Sequence, residues 1–134
     1  MALAPGRSSY GHALGPWLVA VALALPCVYH GLWNLSSTGA EWWQTTSNLP
    51  PSLRYLIGGA ELAAALGLVT GVLRRWAALG LVPLFLGAIP HHLAAGFSFK
   101  HGGYEPPLVY ALVALGLALS SPSPKGAPHA DRST

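Results

Sequence analysis

The chain has 134 residues, of which 52% are hydrophobic and only 8% are charged, and its mean hydropathy is +0.46. Soluble domains carry about 25% charged residues. A compact fold of this size cannot hide so much apolar surface from water, so lipid must be the solvent for much of it. The seven Lys and Arg residues are too sparse for nucleic-acid binding, and the single cysteine, Cys27, excludes an intramolecular disulfide.

The first predicted element is an apolar helix at residues 15–35, which follows a short flexible lead at residues 1–14. A secretory signal peptide is the alternative, because Arg7 precedes the apolar run and the segment ALA at 22–24 resembles a cleavage site. The run continues past that site and Pro26 follows closely, so we expect a retained helix.

Residues 36–52 are predicted to form a loop that contains a short helix. Thr38 and Glu41 fit a capping box, which indicates a helix through Trp42 and Trp43. We place this helix at the headgroup level, because tryptophan rings prefer the membrane interface.

Three further apolar segments complete the predicted bundle, at residues 53–73, 76–96 and 106–121. Arg74-Arg75 separates the first two, which predicts a tight antiparallel hairpin, and residues 97–104 form a second loop. Residues 122–134 have the Pro/Ser-rich composition of a disordered tail. The predicted fold class is therefore an all-α membrane protein, a bundle of four transmembrane helices.

An N-in, C-in topology follows from the positive-inside rule. It places five of the seven Lys and Arg residues in the cytoplasm, namely Arg7, Arg74, Arg75, Lys125 and Arg132, and leaves Arg54 and Lys100 outside. The aromatic residues agree: Trp17 and Trp76 fall at the inner end, and Trp33, Trp42, Trp43 and Tyr104 fall at the outer end. Arg74 and Arg75 are the main topology anchors.

Polar side chains gather in the outer half of the predicted spans. Glu61 lies roughly 12 Å from the outer end of its span at about 1.5 Å per residue, a depth at which an acidic side chain costs roughly 3 kcal/mol. It therefore needs polar partners. The layer comprises His30, Asn34, Glu61, His91, His92 and Glu105.

Small residues predict where the second span packs closely against its neighbours. Gly58, Ala64, Ala65 and Leu68 share the stripe of Glu61, and a second row consists of Gly59, Ala63, Gly67 and Gly71. In the third span, Pro90 is expected to kink the helix beside His91-His92 and to free the carbonyl of Leu86.

An ordered set of segments over about residues 15–120 resembles the DoxX/DoxD family. The segments are HGLWNL at 30–35, GAEL at 59–62, LGL at 66–68, RRWAA at 74–78, AIPHH at 88–92 and YE at 104–105. The resemblance implies a four-helix membrane bundle and a link to the oxidation of sulfur compounds or thiols, since some relatives are subunits of a thiosulfate:quinone oxidoreductase. Other relatives are chaperones or cargo receptors.

The resemblance also carries over individual residues. It points to Glu61, to His30, to one of His91 and His92, and to one arginine of the pair. Asn34 stands where the family usually has lysine. Localisation in the plasma membrane, the bacterial cytoplasmic membrane, follows from the same resemblance.

Three roles of the polar layer remain open from the sequence. Its members can hydrogen-bond across helices and lock the bundle. They can also bind a quinone headgroup, because histidine beside a carboxylate supplies both a hydrogen bond and a proton. Alternatively, His30 with His91 or His92 can supply two imidazoles to haem, or two nitrogens beside Glu61 to a metal ion.

Two functional hypotheses follow. The first is a membrane subunit that supports a redox partner at the quinone level. The second is a non-catalytic accessory or assembly subunit that packs against a larger membrane complex. No nucleophile–base pair or phosphate loop is visible in the sequence, so we do not expect a stand-alone enzyme.

The topology can be tested with reporter fusions. An alkaline phosphatase reporter, which is active only outside the cytoplasm, should be active when fused after Ser47 and inactive when fused after Arg75. The reverse pattern would contradict the N-in, C-in prediction.

Overall fold

A computed structural model describes residues 10–47, 49–94 and 105–121. Within these ranges the chain forms five α-helices and no strand, which confirms the all-helical prediction. The helices are α1 (Tyr10–Leu35), α2 (Ser37–Thr45), α3 (Leu53–Val69), α4 (Arg74–Ala94) and α5 (Glu105–Ser120). The predicted second loop at 97–104 and the predicted tail at 122–134 lie outside the described residues.

The four long helices form a ring. Helix α1 packs on α3, α3 on α4, α4 on α5, and α5 on α1, while α2 lies against α1 and α3. The three largest apolar side chains of the core with almost no exposed area are Leu23, Leu68 and Leu81, one from each of α1, α3 and α4. The core therefore lies on the axis of the ring, as expected for a helical bundle.

The closest approach of two helices is between α1 and α3. A Cβ atom on Gly58 would lie 2.9 Å from the carbonyl oxygen of Gly31, and one on Gly31 would lie 2.8 Å from Cγ of Leu62. Both glycines are buried, so the two backbones nearly touch at this crossing. The crossing lies near the C-terminal end of α1 and the N-terminal end of α3, and Val21 of α1 lines a groove together with Val69 of α3, so the two helices are antiparallel.

Of the two small-residue rows predicted in α3, the structure uses mainly the stripe of Glu61. Gly58, Glu61, Ala65 and Leu68 are buried. In the second row Gly67 is buried and packs against Ala77, but Gly59 and Ala63 are exposed and Gly71 lies in the turn after the helix. Of the second row, Gly67 thus makes the predicted close contact, with α4, and Ala63 lines a groove between α3 and α4.

The predicted short helix in the first loop is present as α2, but its N-cap is Ser36 rather than Thr38. The Ser36 hydroxyl accepts a hydrogen bond from the backbone N–H of Gly39 at 3.1 Å, so the helix begins before the predicted capping box. The chain turns so sharply there that a Cβ atom on Gly39 would overlap the carbonyl oxygen of Trp33. This turn folds α2 back onto the bundle.

The hairpin between α3 and α4 turns at residues 70–73, and not at the arginine pair as predicted. Gly71 has a φ of +72°, the left-handed conformation that terminates helices, and Arg74 and Arg75 form the first turn of α4. The Arg74 side chain reaches back, and its Nε donates a hydrogen bond to the carbonyl oxygen of Leu68 at 3.0 Å. It thereby satisfies a carbonyl near the C-terminal end of α3.

Two helices in the described part of the chain are long and apolar enough to cross a membrane, by length and composition. They are Leu14–Leu35 and Arg74–Leu93, and Glu105–Ser120 is a shorter apolar helix. Helix α4 continues without a break through Pro83 and Pro90. The apolar character predicted from composition is thus present in individual helices.

The close α1–α3 crossing predicts that a large side chain at Gly58 destabilises the protein and that one at Gly59 does not. Gly58→Leu should destabilise the protein by about 1–3 kcal/mol, because the new side chain would force apart two backbones in contact. Gly59→Leu is the matched control, since a Cβ atom there meets nothing within 4 Å. Thermal unfolding in detergent measures both, and equal melting temperatures for the two variants would contradict the crossing.

Candidate functional site

A chain of three buried side chains joins α2, α1 and α3 at one end of the bundle. The indole Nε1 of Trp43 donates a hydrogen bond to Oδ1 of Asn34 at 2.8 Å. Nδ2 of Asn34 in turn donates to Oε2 of Glu61 at 3.0 Å. All three residues are buried, so Asn34 connects a carboxyl group in the bundle to a helix that folds over its end.

Arg54 fixes the end of α1 from which Asn34 projects. Its Nη1 donates hydrogen bonds to the carbonyl oxygens of Asn34 at 2.9 Å and Ser36 at 3.3 Å. Carbonyls in the last turn of a helix lack partners within the helix, and a cation there also interacts favourably with the helix dipole. Arg54 therefore holds the junction of α1 and α2 in place over α3.

Aromatic rings fill the space between α2 and the end of α4. The ring of His91 stacks on Trp43 with an interplanar angle of 8° and a centroid distance of 6.0 Å. Trp42 meets the same imidazole edge-on at 5.5 Å and also contacts Trp33 edge-on at 5.5 Å. Trp43 itself is only 4% exposed, and Asn34 offers its indole N–H a buried acceptor.

Two adjoining cavities lie beneath these rings. The front cavity has a volume of about 450 Å³, and its lining draws on α1, α2, α3, α4 and α5. Its lining residues are His30, Trp33, Trp42, Glu61, Phe85, Ala88, His92, Pro106, Pro107 and Tyr110. The rear cavity, of about 320 Å³, shares Glu61 and His92 with the front cavity and adds Asn34, Trp43 and His91. Glu61 thus borders both spaces.

The structure brings five of the six sequence-predicted polar residues to these cavities. They are His30, Asn34, Glu61, His91 and His92. Glu105 is the exception, since it opens α5 beside the front cavity and does not line either space. Oε2 of Glu105 and Nε2 of His91 are buried without a hydrogen-bond partner in the part of the chain that the structure describes.

The hydrogen bond to Glu61 comes from Asn34 rather than from a histidine. The spacing of Cys27, His30 and Asn34 places them on one side of α1, but His30 is exposed whereas the other two are buried. Across residues 10–47, 49–94 and 105–121, no three His, Cys, Asp or Glu side chains come together in a group that could hold a metal ion. The arrangement is instead a polar and aromatic cavity with one buried carboxyl group.

Sequence reasoning missed the roles of Trp43 and Arg54. Both belong to the predicted outer loop and the start of the second span, where they were read as interface and topology signals. The sequence did contain a signal for the contact between Trp43 and Asn34, since Trp43 lies in the predicted short helix only nine residues after Asn34. The direction in which that helix folds back, however, depends on Ser36 and Gly39.

The fold and this site define a small helical protein of membrane type with a polar cavity at one end. A family model described as the DoxX-like family matches residues 18–118, so the chain belongs to the DoxX-like family. This family is membrane-associated. No curated protein and no solved structure matches the chain.

The Asn34–Glu61 hydrogen bond can be measured with a double-mutant cycle. We expect Asn34→Leu and Glu61→Leu each to destabilise the protein, because each leaves a buried polar partner unsatisfied. The double variant should be less destabilised than the sum of the two single variants. The difference, the coupling energy, should be about 0.6–1.7 kcal/mol, from the average to the maximum measured for interhelical hydrogen bonds in membranes. Unfolding in mixed detergent measures the four proteins, and additive effects would argue against the bond.

Proposed function

We propose that this DoxX-like protein spans the membrane four times, with both termini in the cytoplasm. Helices α3 and α5 have 17 and 16 residues, lengths of about 24–26 Å at about 1.5 Å per residue, close to the ~30 Å hydrocarbon core. Leucines on the outside of all four long helices support lipid contact, with 66% exposure at Leu25, 69% at Leu56, 45% at Leu86 and 60% at Leu112. The site would then face the outer half of the membrane.

We further propose that the front cavity binds the headgroup of a quinone. The observation that carries this proposal is the lining, which combines a carboxyl group and two imidazoles with flat aromatic rings. A quinone ring is planar, apolar on its faces and polar at its two carbonyl oxygens. Trp33, Trp42 and Phe85 offer surfaces for the faces, while Glu61, His30 and His92 offer hydrogen-bonding groups for the oxygens.

The chemistry of the lining fits proton exchange with such a ligand. Reduction of a quinone to a quinol takes up two electrons and two protons. The electrons would come from a redox partner protein, and the carboxyl and imidazole groups of the cavity can pass the protons. The protein's role in this scheme is that of a membrane subunit that binds the quinone for its partner.

An accessory or assembly role is the second candidate. It is favoured by a different observation, an apolar groove of about 420 Å³ between α1 and α3 that is lined by Val21, Ala24, Leu25, Val28, Leu62, Ala65, Leu66 and Val69. Such a groove can receive a helix of a larger membrane complex. In this role the polar residues would serve only to hold the bundle together.

Quinone binding can be tested on the purified protein in lipid nanodiscs. A short-chain quinone should quench tryptophan fluorescence saturably, because Trp33 and Trp42 line the cavity. Glu61→Ala and His92→Ala should each weaken binding about tenfold through the loss of a hydrogen bond to the ligand. Glu41→Ala is the matched control, since Glu41 is exposed on α2 and does not line the cavity.

Two outcomes would contradict the quinone proposal. One is quenching that stays linear with quinone concentration in the wild-type protein, as expected for partition into lipid alone. The other is equal saturable binding by the wild type, Glu61→Ala and His92→Ala. Copurification of a stoichiometric larger complex whose activity is unchanged by Glu61→Gln would support the accessory role instead.

A further inference from the structure

The orientation of the Asn34 amide is fixed by Trp43. The indole Nε1–H is a donor and has no acceptor capacity, so the Asn34 atom 2.8 Å from it must be the carbonyl oxygen Oδ1. The amide nitrogen Nδ2 then faces Glu61, where it lies 3.0 Å from Oε2. A flipped amide would place its N–H donors against the indole donor and turn Oδ1 toward the carboxyl group, where only the O–H of a protonated acid could donate to it.

This fixed amide distinguishes the two oxygens of the Glu61 carboxyl group. Nδ2 is a donor, so Oε2 must act as an acceptor in every protonation state of the group. The carbonyl oxygen of a carboxylic acid is a better acceptor than its hydroxyl oxygen, so the hydrogen bond from Asn34 favours the protonated form with the proton on Oε1. Over the described residues, Glu61 has no other hydrogen-bond donor than Asn34, and its side chain borders both cavities.

We propose that Asn34 and Trp43 are positioning residues that assign the exchangeable proton of Glu61 to Oε1, the oxygen that serves the cavity. Its use in ligand binding rests on the quinone proposal above. With Oε2 committed to Asn34, the protonated acid presents its O–H to a carbonyl oxygen of the ligand. The ionised form presents Oε1 as an acceptor to a hydroxyl group of the reduced ligand.

The packing around Trp43 allows its hydrogen bond to be removed on its own. Trp43 also stacks on His91, and the aromatic ring of phenylalanine would keep a stacked contact there. Trp43→Phe deletes the Nε1–H donor, after which both amide orientations of Asn34 become accessible. Trp17→Phe is the matched control, because Trp17 is an exposed residue near the start of α1, at the opposite end of that helix from Asn34.

Infrared difference spectra recorded between two pH values report directly on the Glu61 carboxyl group. Its C=O stretching band is identified by its absence in Glu61→Gln, which separates it from the bands of His30, His91 and His92. We expect this band to shift or split in Trp43→Phe, although the hydrogen bond of Trp43 goes to Asn34 and not to Glu61. Trp17→Phe should retain the wild-type band.

The position and width of that band decide the proposal. A wild-type band in a folded Trp43→Phe protein would overturn it, because a merely structural tryptophan would leave the carboxyl group unchanged. The milder Asn34→Gln variant, which keeps the amide but displaces it, should also alter the band, and an unaltered band in that variant would count equally against the proposal.

Quinone affinity provides the second readout and separates the two proposals. Trp43→Phe should weaken quinone binding about tenfold, as expected for one misdirected hydrogen bond to a charged or ionisable group, with Trp17→Phe unchanged. If the wild-type protein binds no quinone but the infrared band responds as expected, the quinone proposal fails and the positioning of the Glu61 proton stands. If the wild-type protein binds quinone but the Glu61 band is unshifted in Trp43→Phe, the positioning proposal fails and the quinone proposal stands.

Discussion

A carboxyl group inside an apolar bundle is costly unless another group satisfies it, and the Asn34 amide meets this requirement for Glu61. The same amide accepts the indole hydrogen of Trp43, so one side chain links α3 to α1 and α1 to α2. The close crossing at Gly31 and Gly58 brings the helices near enough for this link. The cavities beneath α2 exist because this small set of contacts holds the short helix over the end of the bundle.

The residue type at position 34 suits this double role. Lysine, which the DoxX/DoxD family usually has at this place, offers donors only and could not accept the hydrogen of an indole. Asparagine offers an acceptor and a donor on opposite sides of one planar group, and both are used here. In this chain the hydrogen-bond partner of Glu61 is thus a neutral amide, and the tryptophan of α2 sets the direction of that amide.

Composition and the depth of residues along the predicted helices gave the helical architecture and the height of the polar layer. The partner of Glu61, the burial of Trp43 and the turn after α3 depend on contacts between helices and could not be predicted. The rise per residue placed Glu61 and the histidines at similar heights, and they line two cavities in the structure. The sequence could not identify the partner of Glu61, because an asparagine and three histidines competed at that height. It also could not show that Trp43 is buried against the bundle, because that depends on the tight turn at Ser36 and Gly39. The turn after α3 was misplaced because Gly71 was assigned to a packing row rather than to a left-handed helix end.

The most direct test of this account is the distance between the Asn34 amide and the Glu61 carboxyl group in a lipid bilayer. Solid-state NMR can measure the dipolar coupling between ¹⁵N-labelled Nδ2 of Asn34 and ¹³C-labelled Cδ of Glu61. We expect a strong coupling between these two nuclei, since Nδ2 of Asn34 lies 3.0 Å from Oε2 of Glu61. Absence of a measurable coupling in the folded wild-type protein, with both labels shown to be present after reconstitution, would contradict the hydrogen bond.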